Sequence, residues 1–348
     1  MNFRKNNKIP LDKFIDICLY DKKKGYYINK NPFGQNGDFT TAPNISRLFS
    51  EMISIWIISY WQSLASPKKF NLIELGAGNG EMMKIMIETF KKFPNFYNSC
   101  NIFIHEKSPN LIKEQKKKIK NKNVLWIDDL KKIKSFPSLF LANEFFDSLP
   151  IKQFFKKKNL WFEKFVDLSD IQKSKFFNKK TNINPIEKNL GFKFSMNQNF
   201  IEYSPLGFKY LKNILKIVKK YNGGLLIIDY GYNSKKMKNT LQSIYKKKFS
   251  NVLENIGKSD ITYNISFQLI KNFLKKYNGL DIKITTQRKF LINMGIQKRA
   301  EIISKNKSFI EKADIYYRLK RLIDEKEMGN LFKVMFINRY SKNFNTGF

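Results

Sequence analysis

Residues Leu72–Glu81 read LIELGAGNGE, and how this stretch is parsed decides the fold. Leu72 to Leu75 is the end of an apolar run beginning at Phe70, short enough for a buried strand. Gly76, Gly78 and Gly80 then force a turn, and Glu81 opens a helical pattern with Met82, Ile85, Met86 and Phe90 on one face. Glycines let the backbone approach a ligand closely, and the helix start that follows offers free N–H groups. A dinucleotide turn would read G-x-G-x-x-G. Counted from Gly76, its last glycine falls on Glu81, an anion badly placed beside a pyrophosphate. The spacing is acid-x-G-x-G-x-G instead, at Glu74, Gly76, Gly78 and Gly80. The ligand expected at this turn therefore carries no phosphate.

Outward from the turn, apolar strands alternate with helices. Strands are predicted at 70–75, 101–105, 124–127, 139–142, 224–228 and 331–337, and helices at 81–93 and 109–120. Residues 42–61 carry apolar side chains at helical spacing, with Asn44 or Ser46 available as a cap. This rhythm argues for an α/β fold, a Rossmann-like, doubly wound and mostly parallel sheet covered on both faces. Residues 1–65 form an N-terminal helical cap with the loop GDFTT. Residues 66–150 and 203–348 form the sheet-bearing core. The lysine- and aromatic-rich segment 151–202 breaks the rhythm and reads as a substrate-side insertion, and 234–282 as a second, partly helical one.

Composition excludes several chemistries. The chain of 348 residues has one histidine, His105, and two cysteines, Cys18 and Cys100, in no metal-ligand spacing. Histidine triads, disulfide frameworks and zinc sites drop out, no metal is expected, and proton transfer falls to carboxylates. His105 itself reads as structural. The net charge of +36 raises nucleic acid as a partner. Lysine outnumbers arginine 58 to 7 and is spread along the whole length, which fits compositional bias better than a phosphate-gripping footprint. The longest apolar run, Met52–Trp61, is about half of the ~20 residues a membrane span needs. The N-terminus shows no secretory signal or convincing transit peptide. A bacterial-type cytoplasm is expected, with the mitochondrial matrix as the alternative.

The acid-x-G-x-G-x-G turn resembles motif I of the S-adenosylmethionine-dependent methyltransferases. The chemistry agrees, because that cofactor has an amino-acid tail, a sulfonium and an adenosine but no phosphate. Its ribose diol wants an acidic acceptor at the end of the next strand. Glu106 stands there, 26 residues after Gly80. Asp128 is then placed for the adenine amino group, with Asp129 as its competitor.

The stretch LANEFFDSLP, Leu141–Pro150, ends an apolar strand in Asn143, Glu144 and Asp147. Strand carboxyl ends hold the ligands of doubly wound sheets. Glu144 is the candidate that binds and orients a substrate nitrogen and takes its proton. Asn143 positions cofactor or nucleophile, and Phe145 and Phe146 wall off water or flank a planar group. Asp147 is either a second carboxylate or a helix-starting acid.

Several separated stretches together resemble the MidA-like family, which includes the complex I assembly-factor methyltransferases of mitochondria that modify protein arginine. They include LYDKKKGYY (Leu19–Tyr27), NPFGQNGDFTTAPNISRLFSEM (Asn31–Met52), NEFFDSLP, EYSP (Glu202–Pro205), GGLLIIDYGY (Gly223–Tyr232) and TQRKFLINMGI (Thr286–Ile296). The resemblance runs from about residue 11 to residue 338. It implies methyl transfer from S-adenosylmethionine, leaving S-adenosylhomocysteine, to an arginine of a complex I subunit. Asp38 and Thr41, in the GDFTT loop, then face the cofactor's amino-acid tail, and Tyr232 lines the substrate mouth. Departures are Ala77 where relatives commonly have proline, Asn79 where they have arginine, and Lys247 and Asn264 where they have histidines. Two other readings compete: a nucleic acid methyltransferase, and a non-catalytic assembly factor that keeps the fold. The sequence leaves the oligomeric state open, a homodimer included.

Overall fold

The computed structural model describes residues 7–29, 41–170, 173–339 and 344–348. They fall into two compact units, Phe33–Phe145, Asn213–Tyr230 and Gly279–Phe348 in one, and Met1–Pro32, Phe146–Lys212 and Gly231–Asn278 in the other.

The first and larger unit is built on a seven-strand path. In chain order its strands are β1 (Phe70–Leu75), β2 (Cys100–His105), β3 (Val124–Ile127), β4 (Ser138–Asn143), β5 (Gly223–Tyr232), β6 (Leu280–Thr286) and β7 (Phe332–Arg339). In space they run β6-β7-β5-β4-β1-β2-β3. β5, β4, β1, β2 and β3 pair in parallel, and β7 pairs antiparallel with both β5 and β6. The sheet is thus mostly parallel, as the alternating pattern predicts. Every residue of β1 and β4 is buried, which is why both strands read as nearly unbroken apolar runs. The strand order reverses between β1 and β4, and their carboxyl ends, Leu75 and Asn143, open the crevice where such sheets bind ligands.

Helices α1 (Arg47–Ser63), α2 (Glu81–Phe90) and α3 (Pro109–Ile119) accompany this sheet. The helical pattern over 42–61 is one helix in sequence but two in space. It breaks at Ser46, whose φ of −149° is extended and whose side chain accepts the Leu48 N–H. Trp56 of α1 anchors the core. Its ring stacks on Tyr60 and meets Phe336 and Phe344 edge-on, and its indole N–H donates to the Thr346 carbonyl at 2.9 Å. Burying such a side chain contributes on the order of 2–3 kcal/mol.

The second unit carries the segment 151–202, which forms antiparallel strands. Leu160–Asp167 pairs with Lys152–Lys157, Lys175–Thr181 and Lys8–Pro10, and Lys152–Lys157 pairs in turn with Phe200–Tyr203. The segment 234–282 adds four short strands and the helix Phe267–Leu274 to this unit, so its regular structure is as much strand as helix.

Candidate active site

The glycine turn joins β1 to α2. All three glycines sit in the left-handed region, with φ of 67° at Gly76, 52° at Gly78 and 77° at Gly80. Gly76 has a second constraint: a Cβ there would lie 2.9 Å from Cδ2 of Phe145. Phe145 therefore packs its ring on the turn. Gly80 is the N-cap of α2, and Asn79 accepts the Glu81 N–H at 3.2 Å through its side-chain oxygen. The Asn79 amide donates to the Asn44 side chain at 3.0 Å, tying the turn to the segment before α1.

A cavity of about 380 Å³ opens over this turn. Thr41, Glu74, Gly76, Gly78, Asn143 and Glu144, all named from the sequence, are in its lining. Asn44, Asn79 and Met82 also line it and were not foreseen as site residues. Glu74 is 2% exposed, and its Oε2 has no hydrogen-bond partner among the described residues; the same holds for Oδ1 of Asn143. Burial pushes the Glu74 carboxyl up to about 8, with the charge of Glu106 adding to the effect. Buried polar atoms normally find partners. Two unfilled acceptors beside a glycine turn suit a donor-bearing cationic group such as the ammonium of an amino-acid tail.

Glu144 follows β4 with φ of 50°, unusual for a non-glycine residue. Its N–H donates to the Ile228 carbonyl at 2.9 Å, which clamps the backbone between β4 and β5. Its Oε1 accepts from Asn143 Nδ2 at 3.3 Å and from the Ala42 N–H at 3.4 Å, and its Oε2 from the Tyr230 hydroxyl at 3.3 Å. All three donors are neutral, and Glu144 is only partly buried.

Glu106 follows the end of β2. Its Oε1 accepts the N–H groups of Lys107 at 2.8 Å and Ser108 at 3.0 Å, and its Oε2 accepts from Gln115 at 3.1 Å. Burial raises its carboxyl above the usual range, and these donors work against that. His105 is buried, with Nδ1 3.2 Å from the Ile127 carbonyl, consistent with a structural role.

The remaining predicted residues lie elsewhere. Asp128 is exposed and paired with Lys132 at 2.5 Å, which together with its hydrogen bond to that lysine holds its carboxyl below the usual range. Asp129 caps a short 3-10 turn by accepting the Lys131 N–H at 2.9 Å. Neither is in the cavity lining. Phe146 and Asp147 belong to the second unit. There Phe146 lines a separate, mostly apolar cavity, so the two neighbouring phenylalanines do not flank one group. Asp147 is buried in a turn, and no helix begins there. Tyr232, also in that unit, accepts the Lys238 N–H at 3.0 Å. Asp38 lies outside the described residues. No group of three or more metal-ligating side chains occurs among the described residues.

Sequence reasoning missed Gln115 altogether. It is fully buried on α3 between Leu111 and Ile119, each about one turn away on the same face. An uncharged polar residue inside an apolar stripe was the available signal.

The sheet order, the glycine turn and the cavity with its unfilled acceptors define a methyltransferase dependent on S-adenosylmethionine. The chain belongs to the S-adenosyl-L-methionine-dependent methyltransferase family whose model matches residues 52–286. Among curated proteins it is similar to "Protein arginine methyltransferase NDUFAF7, mitochondrial" of Xenopus tropicalis. The two are 28% identical over 354 residues, covering 93% of this chain and 81% of the relative. The human protein of the same name is 26% identical, covering 93% of this chain and 78% of its own. Among solved structures, a Burkholderia thailandensis protein bound to S-adenosyl-homocysteine superposes with a TM-score of 0.83. It is 21% identical, covering 97% of this chain and 89% of that one, and shows the same fold. No helix among the described residues is long and apolar enough to cross a membrane.

Proposed function

We propose that this enzyme methylates an arginine side chain of a protein, and that the protein is a subunit of respiratory complex I. The observation that carries the reading is the Asn143–Glu144 pair at the end of β4, lining the same cavity as the glycine turn. The names of the curated relatives support the arginine substrate. They also support a mitochondrial setting over the bacterial-type cytoplasm.

Bound S-adenosylmethionine supplies an electrophilic methyl on a sulfonium, and S-adenosylhomocysteine leaves. Thr41, Glu74 and the glycine turn hold the amino-acid tail. Glu106 accepts from the ribose diol, and Asp128 or Asp129 remains the proposed partner for the adenine.

A guanidinium is always protonated and is a poor nucleophile. Glu144 answers this by accepting one of its N–H groups on Oε2, beside the Tyr230 hydroxyl, which draws positive charge away from the attacking nitrogen. As the nitrogen–methyl bond forms and the sulfur–methyl bond breaks, the displaced proton passes to a Glu144 oxygen. Asn143 and Tyr230 hold that carboxylate in place, and aligning the nucleophile behind the methyl can supply on the order of 7–11 kcal/mol. Phe145, which packs on the glycine turn, is proposed to stand on the substrate side.

The test is transfer of radiolabelled methyl into a cell lysate and into a purified complex I subunit, with mass spectrometry locating the modified residue. Label on arginine supports the reading. Label confined to RNA or DNA supports a nucleic acid methyltransferase instead. S-adenosylmethionine binding without any transfer supports an assembly factor.

A further inference from the structure

We infer that Gln115 is the positioning residue of the nucleoside half of the site, fixing Glu106 for the ribose through a chain that runs from Trp126 to Gln115 to Glu106. The inference rests on the reading of Glu106 as the ribose acceptor.

Three hydrogen bonds converge on one buried amide. The Trp126 indole N–H donates to Gln115 Oε1 at 2.8 Å. Gln115 Nε2 donates to the Gly78 carbonyl at 2.8 Å and to Glu106 Oε2 at 3.1 Å. An indole nitrogen only donates, so it settles which end of the amide is oxygen. With Oε1 committed to Trp126, both hydrogens of Nε2 must point the other way. They meet a carbonyl and a carboxylate, two groups that only accept. The amide is therefore locked in one orientation by partners of fixed polarity.

The three partners come from different elements, and of them only Gly78 lines the cavity. Gly78 is in the glycine turn, Glu106 follows β2, and Trp126 lies in β3. One side chain sets the spacing between the turn, Glu106 and β3. It also controls what Glu106 has left to offer. Both lone pairs of Oε1 are met by the Lys107 and Ser108 N–H groups, and Gln115 takes one of the two on Oε2. One acceptor position remains, so the carboxylate is aimed at a single ribose hydroxyl rather than shared between two.

The packing requires the shape of glutamine as well as its polarity. A Cβ at Gly80 would lie 3.3 Å from both Cα and Cγ of Gln115, so α3 docks on the turn at this residue. Methionine keeps that shape and removes the amide.

The experiment is calorimetric binding of S-adenosylhomocysteine and its 2′-deoxy and 3′-deoxy counterparts to wild type, Gln115→Met, Trp126→Phe and the double variant. Melting curves check folding. Wild type is expected to lose roughly tenfold in affinity for one deoxy compound and little for the other. Gln115→Met is expected to bind S-adenosylhomocysteine roughly tenfold more weakly and to treat the two deoxy compounds alike. Its KM for the cofactor rises more than its kcat falls. Trp126→Phe, which frees the amide to turn over, moves the same way by a smaller factor, and the double variant matches Gln115→Met alone. If wild type binds all three compounds equally, the Glu106 reading fails and the inference with it. If wild type discriminates and both Gln115→Met and Trp126→Phe discriminate just as well, the inference is overturned and the Glu106 reading stands.

Discussion

The Tyr230 hydroxyl, near the carboxyl end of β5, donates at 3.3 Å to Oε2 of Glu144, one residue beyond the end of β4. The bond joins residues 86 positions apart, because β4 and β5 are parallel neighbours with Asn143 opposite Ile228. Tyr230 is itself held by the Phe332 ring, 4.2 Å away between centroids. The carboxylate is thus oriented by neutral donors and by a backbone with φ of 50°. A conformation of this kind costs on the order of 1–3 kcal/mol and persists where surroundings impose it.

Glu144→Gln keeps the shape and the backbone but cannot take a proton. Methyl transfer should fall by at least about a hundredfold, the usual scale for a lost general base, with S-adenosylhomocysteine affinity within a few-fold of wild type. Tyr230→Phe removes one hydrogen bond and should cost about tenfold or less. Radiolabel transfer and calorimetry check both. Undiminished transfer by Glu144→Gln would falsify its role.

Gly76→Ala faces two obstacles, a φ of 67° and a contact at 2.9 Å with Phe145. The left-handed conformation alone costs about 1–2 kcal/mol for an L-residue. Cofactor affinity should drop at least about tenfold. Shortening Phe145 in the same variant relieves the contact and leaves the φ penalty, so recovery should be partial. Calorimetry that found full recovery would show that the backbone conformation is not limiting.

Glu74 sets a pH dependence. Its folded pKa of about 8 lies above the unfolded carboxyl value of 4.5. Between these values the folded state keeps a proton that the unfolded chain releases, so the unfolded state binds fewer protons and stability falls as pH rises. The contribution is fully present below about 4.5 and is lost as pH rises through 8. Glu74→Gln cannot ionise and should flatten this slope, being more stable than wild type at alkaline pH by on the order of a few kcal/mol and melting correspondingly higher. Melting curves from pH 5 to about 9 decide it, and parallel curves for the two proteins contradict the assignment.

Trp56→Ala empties the centre of the aromatic cluster formed with Tyr60, Phe336 and Phe344 and strands the Thr346 carbonyl. The expected loss is about 3–5 kcal/mol, typical of a large aromatic truncated in a core. Denaturant unfolding measures it.

What was legible in the sequence was local. Strand, glycine turn and helix at 70–90 follow from an apolar run, three glycines and a 3.6-residue period, all within twenty-one positions. The strand ending at Asn143 was readable for the same reason, and with it the idea that Glu144 stands at a carboxyl edge. Ser46 was readable as a cap. Less legible was the break it makes, since the apolar period runs on unbroken through it.

The sequence by itself determined the fold class, the cofactor class and the acid at the end of β4, because periodicity, turn chemistry and residue type are properties of short segments. Only the tertiary structure decided which of the named acids share a cavity. Glu74 and Glu144 do, because pairing of β1 with β4 brings strand ends together that are far apart in the chain. Asp128 turns to solvent and Lys132, and Phe145 and Phe146 part company, because a side chain's direction depends on what the neighbouring segment packs against. Gln115 was invisible as a site residue for the same reason. Its importance lies in three partners that converge only when α3 docks on the glycine turn, and a buried amide is worth its place only where every bond it offers is taken.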